Sequence, residues 1–171
     1  AYRHTYAWNK IYRKEVFNQV RFPSGMNFED SLTLPLILKN CQRVATTGMG
    51  LYYYCENPNG ITRRATAEDL SCLLLAHVRA IINFERKLSR RKDKKEWEKD
   101  MGTYYAHVLN IQFDVYDKSG RFFVKSRNRR KSNIKYRFPI LPYRNTFKLK
   151  LLHLLGIKRL CSLHKTFKRL S

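Results

Sequence analysis

Apolar positions along this chain change their spacing several times, and the changes divide it into elements. From Thr66 to about Leu88, Leu70, Leu73, Leu74, His77, Val78, Ile81 and Ile82 recur at three- and four-residue steps, the pattern of a helix with one buried face. Thr66 followed by Glu68 and Asp69 predicts its start: a threonine N-cap, acids in the first turn, and Asp69 as a variant of the capping box. Arg86, Lys87, Arg90 and Arg91 suit its negative C-terminal end. A second helix is predicted from about Lys94 to Tyr116, pairing with the first as a hairpin. Phe147 to Leu170 regains helical spacing through Leu149, Leu152, Leu160, Leu163, Phe167 and Leu170, with Gly156 dividing it in two.

The front of the chain is less regular. Spacing within Tyr12–Phe17 allows a short amphipathic helix, which Pro23 and Gly25 then interrupt. Ser31 to Asn40 predicts a helix with its N-cap near Asp30 or Ser31, because Pro35 is tolerated in a first turn. Val44–Thr47 and Gly50–Tyr54 read as two short strands around a Gly48-Met49-Gly50 turn. Residues 56–60 read as a loop. Arg121 to Arg137 mixes serine, asparagine and eight cations without an acid and reads as a surface loop or mobile segment.

Charge changes the picture more than length does. The 171 residues carry 35 Lys and Arg against 13 Asp and Glu, a net +22, while a hydrophobic share of 43% is enough for a core. Residues 1–85 hold 10 basic and 7 acidic side chains; residues 86–171 hold 25 and 6, and none of those acids lies beyond Asp117. Four cysteines, at 41, 55, 72 and 161, form no CxxC pair, and the five histidines have no ligand spacing. Zinc-finger and thioredoxin-like chemistry is therefore excluded, and a reduced, cytoplasmic setting is expected. No apolar run is long enough to cross a bilayer. The chain opens on Ala1 and is expected to be a piece of a longer protein.

Five short motifs in one order carry a resemblance: Trp8-Asn9-Lys10-Ile11-Tyr12-Arg13, Phe22-Pro23-Ser24-Gly25, Glu29-Asp30, Tyr52-Tyr53-Tyr54 and Asn59-Gly60-Ile61-Thr62. Over residues 6 to about 64, the string resembles the C-terminal half of bacterial family 2 glycosyltransferases. The resemblance implies an α/β fold: the end of a GT-A catalytic domain over 1–65, on the acceptor side, followed by a mostly α-helical basic extension over 66–171. It also implies an inverting enzyme. Asp30 of the Glu29-Asp30 motif would act as general base on the acceptor hydroxyl as a nucleotide diphosphate leaves from the opposite face. A carboxylate at a helix N-terminus sits among N–H groups that favour its charge, although an N-cap role alone would use the same residue.

By the same resemblance Trp8, Asn9 and Lys10 line the acceptor pocket, with Trp8 a platform for a sugar ring. A Trp8 in the core, with Lys10 paired to a carboxylate, is the competing reading. Arg63 and Arg64 are placed to meet the diphosphate, against a reading as solvent-facing charge. The family's metal-binding DxD motif is absent from this chain, so Mg²⁺ or Mn²⁺ would belong to the intact enzyme, and this fragment alone is expected to be inactive. The implied partners are a nucleotide-sugar donor, UDP-linked, and a glycan or lipid-linked saccharide, in the synthesis of a cell-envelope polysaccharide.

The basic region 118–171 admits three readings. Its cations and interleaved apolar residues suit an anionic membrane, which would place the enzyme peripherally on the inner face of the plasma membrane. Arg121–Arg137, with Phe122, Phe123 and Tyr136, would suit nucleic acid, but no nucleic-acid-binding motif accompanies it and that partner is disfavoured. A packed, solvated extension is the third. A non-enzymatic basic module binding membrane or nucleic acid remains the alternative function.

Overall fold

A computed structural model describes residues 5–50, 52–88, 93–121 and 141–170. Its elements are a 3₁₀ turn at Lys14–Phe17 and five α-helices: α1 (Glu29–Asn40), α2 (Ile61–Arg64), α3 (Ala67–Leu88), α4 (Lys94–Ser119) and α5 (Phe147–Leu170). Helix α1 lies on α3, α3 pairs with α4, and α5 packs on α4. The loop expected over 121–137 falls, beyond Arg121, outside the described residues, as do Arg90 and Arg91.

The hairpin follows from the periodicity that predicted it. Leu74, Val78 and Ile81 of α3 meet Tyr105, Val108 and Leu109 of α4, and Leu149, Leu152 and Leu160 of α5 close the same core. Leu70, Leu73 and Ile82 flank it, partly buried. The capping box forms as predicted: Asp69 Oδ2 accepts from the Thr66 backbone N–H at 2.8 Å, and Thr66 Oγ1 accepts from the Asp69 N–H at 3.2 Å. Helix α4 runs a turn past its predicted end, because Gly120 takes the left-handed conformation (φ 66°) and donates its N–H to the Tyr116 carbonyl at 2.7 Å. Gly156 (φ 72°, ψ 165°) breaks α5 where expected.

The front of the chain departs from expectation. The predicted helix over 12–17 shrinks to the 3₁₀ turn, packed on α1. Helix α1 starts at Glu29, earlier than predicted, with Phe28 as N-cap in the left-handed region (φ 60°, ψ 33°) and no side-chain cap. Pro35 therefore lies in the second turn, not the first, and leaves the Ser31 carbonyl without its i+4 donor.

The α/β expectation is overturned: no strand occurs among the described residues. Arg43–Thr47 and Tyr52–Tyr54 run as irregular, exposed chain. A strand exists only as a member of a ladder, and no described segment lies alongside to accept and donate the bonds. The sequence alternation at Val44–Thr47 and Gly50–Tyr54 gave the side-chain preference for a strand without supplying that partner.

Candidate functional site

Of the residues singled out by sequence, Lys10 comes under the influence of Asp30 where the chain before α1 passes the start of that helix. Asp30, half-buried, is the second residue of α1; its Oδ1 accepts from the Ser31 N–H at 2.7 Å. Oδ2 has no hydrogen-bond partner among the described residues. Ser31, buried, also holds the incoming chain, its Oγ lying 3.2 Å from Thr5 Oγ1. The preceding residue pair is strained, since Phe28 is the one non-glycine described residue at positive φ.

Asp30 acts electrostatically on two neighbours. Burial pushes Lys10 below the usual lysine range, and the Asp30 charge opposes that shift. Burial also pushes the Tyr12 hydroxyl above its ordinary range, and Asp30 and Cys41 push it further. Lys10 Nζ is held in place by the Tyr6 carbonyl at 2.7 Å and by Asn9 Oδ1, and Tyr12 donates to the Ala7 carbonyl at 3.2 Å. Residues 6–12 thus form a tight turn of polar contacts beside the carboxylate. Asn9 is occupied in orienting Lys10.

Trp8 stands at the centre of an aromatic cluster. Its ring lies 5.1 Å from Tyr6, 4.7 Å from Tyr52 and 5.0 Å from Tyr54, at interplanar angles of 24°, 30° and 27°. Trp8 is 39% exposed and the three tyrosines more so, which decides against the core reading of this residue. Sequence reasoning assigned Tyr52 and Tyr54 to a short strand and missed them as part of the site. The available signal was their i, i+2 spacing, which puts Tyr52 and Tyr54 on one side of an extended chain while Tyr53 points away, 88% exposed.

Arg63 and Arg64 do not join this cluster. Arg63 pairs with Glu56 at 3.2 Å, both side chains largely exposed, and no described contact ties either arginine to Trp8, Lys10 or Asp30. Glu29 begins α1, and its carbonyl accepts from Thr33 Oγ1 at 2.8 Å. No three His, Cys, Asp or Glu side chains among the described residues are grouped to hold a metal ion.

A second polar pair lies inside the hairpin. His77 is buried, with Nδ1 2.8 Å from Tyr104 Oη and its ring edge-on to His107. Burial, reinforced by the His107 charge, lowers the His77 pKa to about 4.

No helix among the described residues is long and apolar enough to cross a membrane. No known family model, curated protein or solved structure matches the chain.

Proposed function

We propose that this chain supplies the acceptor side of an inverting, sugar-transferring enzyme, with Asp30 as general base. The observation that carries the reading is the exposed aromatic face that Tyr52 and Tyr54 build with Tyr6 and Trp8, on the same 6–12 segment whose Lys10 and Tyr12 feel the Asp30 charge. Sugar rings present flat C–H faces that pack on aromatic faces and a rim of hydroxyls that needs polar partners. An aromatic platform on a segment that feels the charge of a carboxylate, one of whose oxygens has no hydrogen-bond partner among the described residues, meets both needs.

In the proposed reaction an acceptor hydroxyl donates to Asp30 Oδ2. As its oxygen bonds to the anomeric carbon of the donor, the proton passes to Asp30, and the bond to the nucleotide diphosphate breaks with its electron pair on the departing phosphate oxygen. Attack and departure on opposite faces invert the anomeric centre. Lys10 and Tyr12, which act on the carboxylate through charge and make no hydrogen bond to it, serve the acceptor rim; they take no proton in the step. Arg64, without an acidic partner among the described residues, is better available to the diphosphate than the paired Arg63. Donor, metal and their binding residues come from outside this chain, so isolated it transfers no sugar.

Two measurements test this. Saturation-transfer NMR on the chain, with a panel of uncharged mono- and disaccharides, is expected to show transfer to ring protons that Trp8→Ala abolishes. In the intact enzyme, Asp30→Asn is expected to lower kcat by about a hundredfold or more with the fold unchanged. Saccharides that receive no transfer, or an Asp30→Asn enzyme with unaltered turnover, would overturn the proposal.

A further inference from the structure

Helix α5 turns in two directions after Gly156, and the two faces of its second half have different fates. One face is spent on α4. Leu160 and Cys161 are buried, the His164 ring stacks at 4.2 Å on Phe113, Lys165 donates to the Asp117 carbonyl at 3.3 Å, and Lys168 pairs with Asp117 at 2.9 Å and Asp114 at 3.9 Å. Residues 160, 161, 164, 165 and 168 share one side of a helix at 100° per residue. Residues 159, 163 and 170 lie opposite, and 167 lies at the edge where the two sides meet. There Leu163, Phe167 and Leu170 are 38%, 63% and 79% exposed, growing barer toward the helix end. Arg159 lies among them and Lys158 and Arg169 lie further round, beyond Ser162 and Thr166, all three exposed, and no acidic partner holds any of the three among the described residues. The helix itself contains no acidic residue.

We infer that this outer face, Leu163, Phe167 and Leu170 with Arg159 among them and Lys158 and Arg169 on one flank, docks on an anionic phospholipid surface. The choice among occupants follows from chemistry. A second copy of a chain with net charge +22 would bring like charges together. Nucleic acid rewards cations and stacking rings, and Leu163 and Leu170 offer neither. A headgroup layer over acyl chains takes both parts: phosphates for the cations, hydrocarbon for the leucines and the phenylalanine. The basic region thus divides its work. Leu149, Leu152 and Leu160, expected from sequence to share the membrane face, are core residues instead, and the docking surface is confined to the part the core leaves bare. This inference rests on α5 alone and stands or falls separately from the reading of Asp30.

The test is vesicle flotation of the full chain, with phosphatidylcholine vesicles against vesicles of phosphatidylcholine and phosphatidylglycerol, at low and high salt and with duplex DNA as competitor. Binding to the anionic vesicles that survives the competitor is expected, with none to the neutral ones. Replacing Lys158, Arg159 and Arg169 by glutamine should weaken binding roughly a hundredfold. Replacing Leu163, Phe167 and Leu170 by serine should weaken it about tenfold or more even at low salt. Absence of binding to anionic vesicles, complete displacement by DNA, or an apolar variant as tight as the parent would overturn the inference. Should the serine variant lose its helical circular dichroism, Phe167→Trp in the otherwise unaltered chain replaces it. Brominated phosphatidylglycerol is expected to quench its emission beyond that of the parent; equal quenching would overturn the inference.

Discussion

A histidine inside the α3–α4 seam makes the fold sensitive to mild acid. His77 has an ordinary value near 6.5 when unfolded and about 4 when folded, because burial disfavours its charge. Between those values the unfolded chain binds a proton that the native state refuses. Stability from this site is complete above about pH 6.5 and is lost as pH falls toward 4, up to about 3 kcal/mol in all. The partner is Tyr104, whose hydroxyl burial pushes far above its ordinary range, so it stays protonated throughout. Urea melts of the parent at stepped pH should show that slope, and His77→Gln, which keeps a polar partner for Tyr104, should flatten it. Asp69 acts lower on the scale. Its burial favours the neutral form, but hydrogen bonds from Thr66 and Asn27 outweigh that and hold its carboxyl below the usual range. Its contribution is present above the unfolded value and is lost as pH falls through the folded one. Thr66→Ala should cost about 1 kcal/mol at neutral pH, read as a shift in the urea midpoint. This cap was legible from Thr66 and Asp69 because it involves only neighbours in sequence.

Among the elements, α3, α4 and α5 were legible and the strands were not, and one physical difference explains both. A helix satisfies its backbone within itself, so the spacing of Leu74, Val78 and Ile81 is enough to predict it. Even the break in α5 was visible, because Gly156 interrupts an otherwise continuous apolar period. Its backbone (φ 72°, ψ 165°) lies in a region open essentially to glycine alone. Open space surrounds the position, so a methyl group there meets no neighbour and the cost is purely conformational. Gly156→Ala should therefore destabilise the chain by about 1–3 kcal/mol, measured by denaturant unfolding. It should also loosen α5 after the kink, so the Lys168 pair with Asp114 and Asp117 weakens with it. The start of α1 was misjudged by two or three residues because Phe28, with no capping side chain, gives no signal of an N-cap. The site had the same uneven legibility. Asp30, Trp8 and Lys10 were visible as types in a motif, whereas the meeting of Trp8 with Tyr52 and Tyr54 is a contact across more than forty residues that periodicity does not encode.

At the scale of the whole molecule, order and charge are unevenly distributed. The core belongs to α3, α4 and α5, while residues before Ile61 expose Tyr6, Trp8, Ile11, Val44, Met49 and Tyr53. Helix α1, through Leu34 and Ile37, is the main anchor of the front segment on α3. Asn27 adds a second tie, donating to Asp69 Oδ1 at 2.6 Å, and Lys118 a third, donating to the Ala65 carbonyl at 2.6 Å. Between α1 and α2 the chain has little to hold it: among the described residues no backbone hydrogen bond closes on Arg43–Thr47 or Tyr52–Cys55, and the stacking of Tyr52 and Tyr54 on Trp8 is the chief long-range contact there. Such a segment opens at small free-energy cost, whereas the amides of Ile81, Val108 and Leu109 exchange only when the helical core opens. Hydrogen exchange followed by mass spectrometry should divide the chain accordingly. Peptides covering 43–47 and 52–55 are expected to exchange at nearly unprotected rates, and those covering the middle of α3 and α4 at least about a thousandfold more slowly. Slow exchange at 43–47 would mean that these amides are paired in solution, and would overturn the account of this segment as chain without a ladder. A saccharide seated on Trp8 touches the same tyrosines, so its binding should slow exchange at 52–55 and leave α3 and α4 unchanged. The two results together distinguish a platform assembled by its ligand from one that stands ready without it.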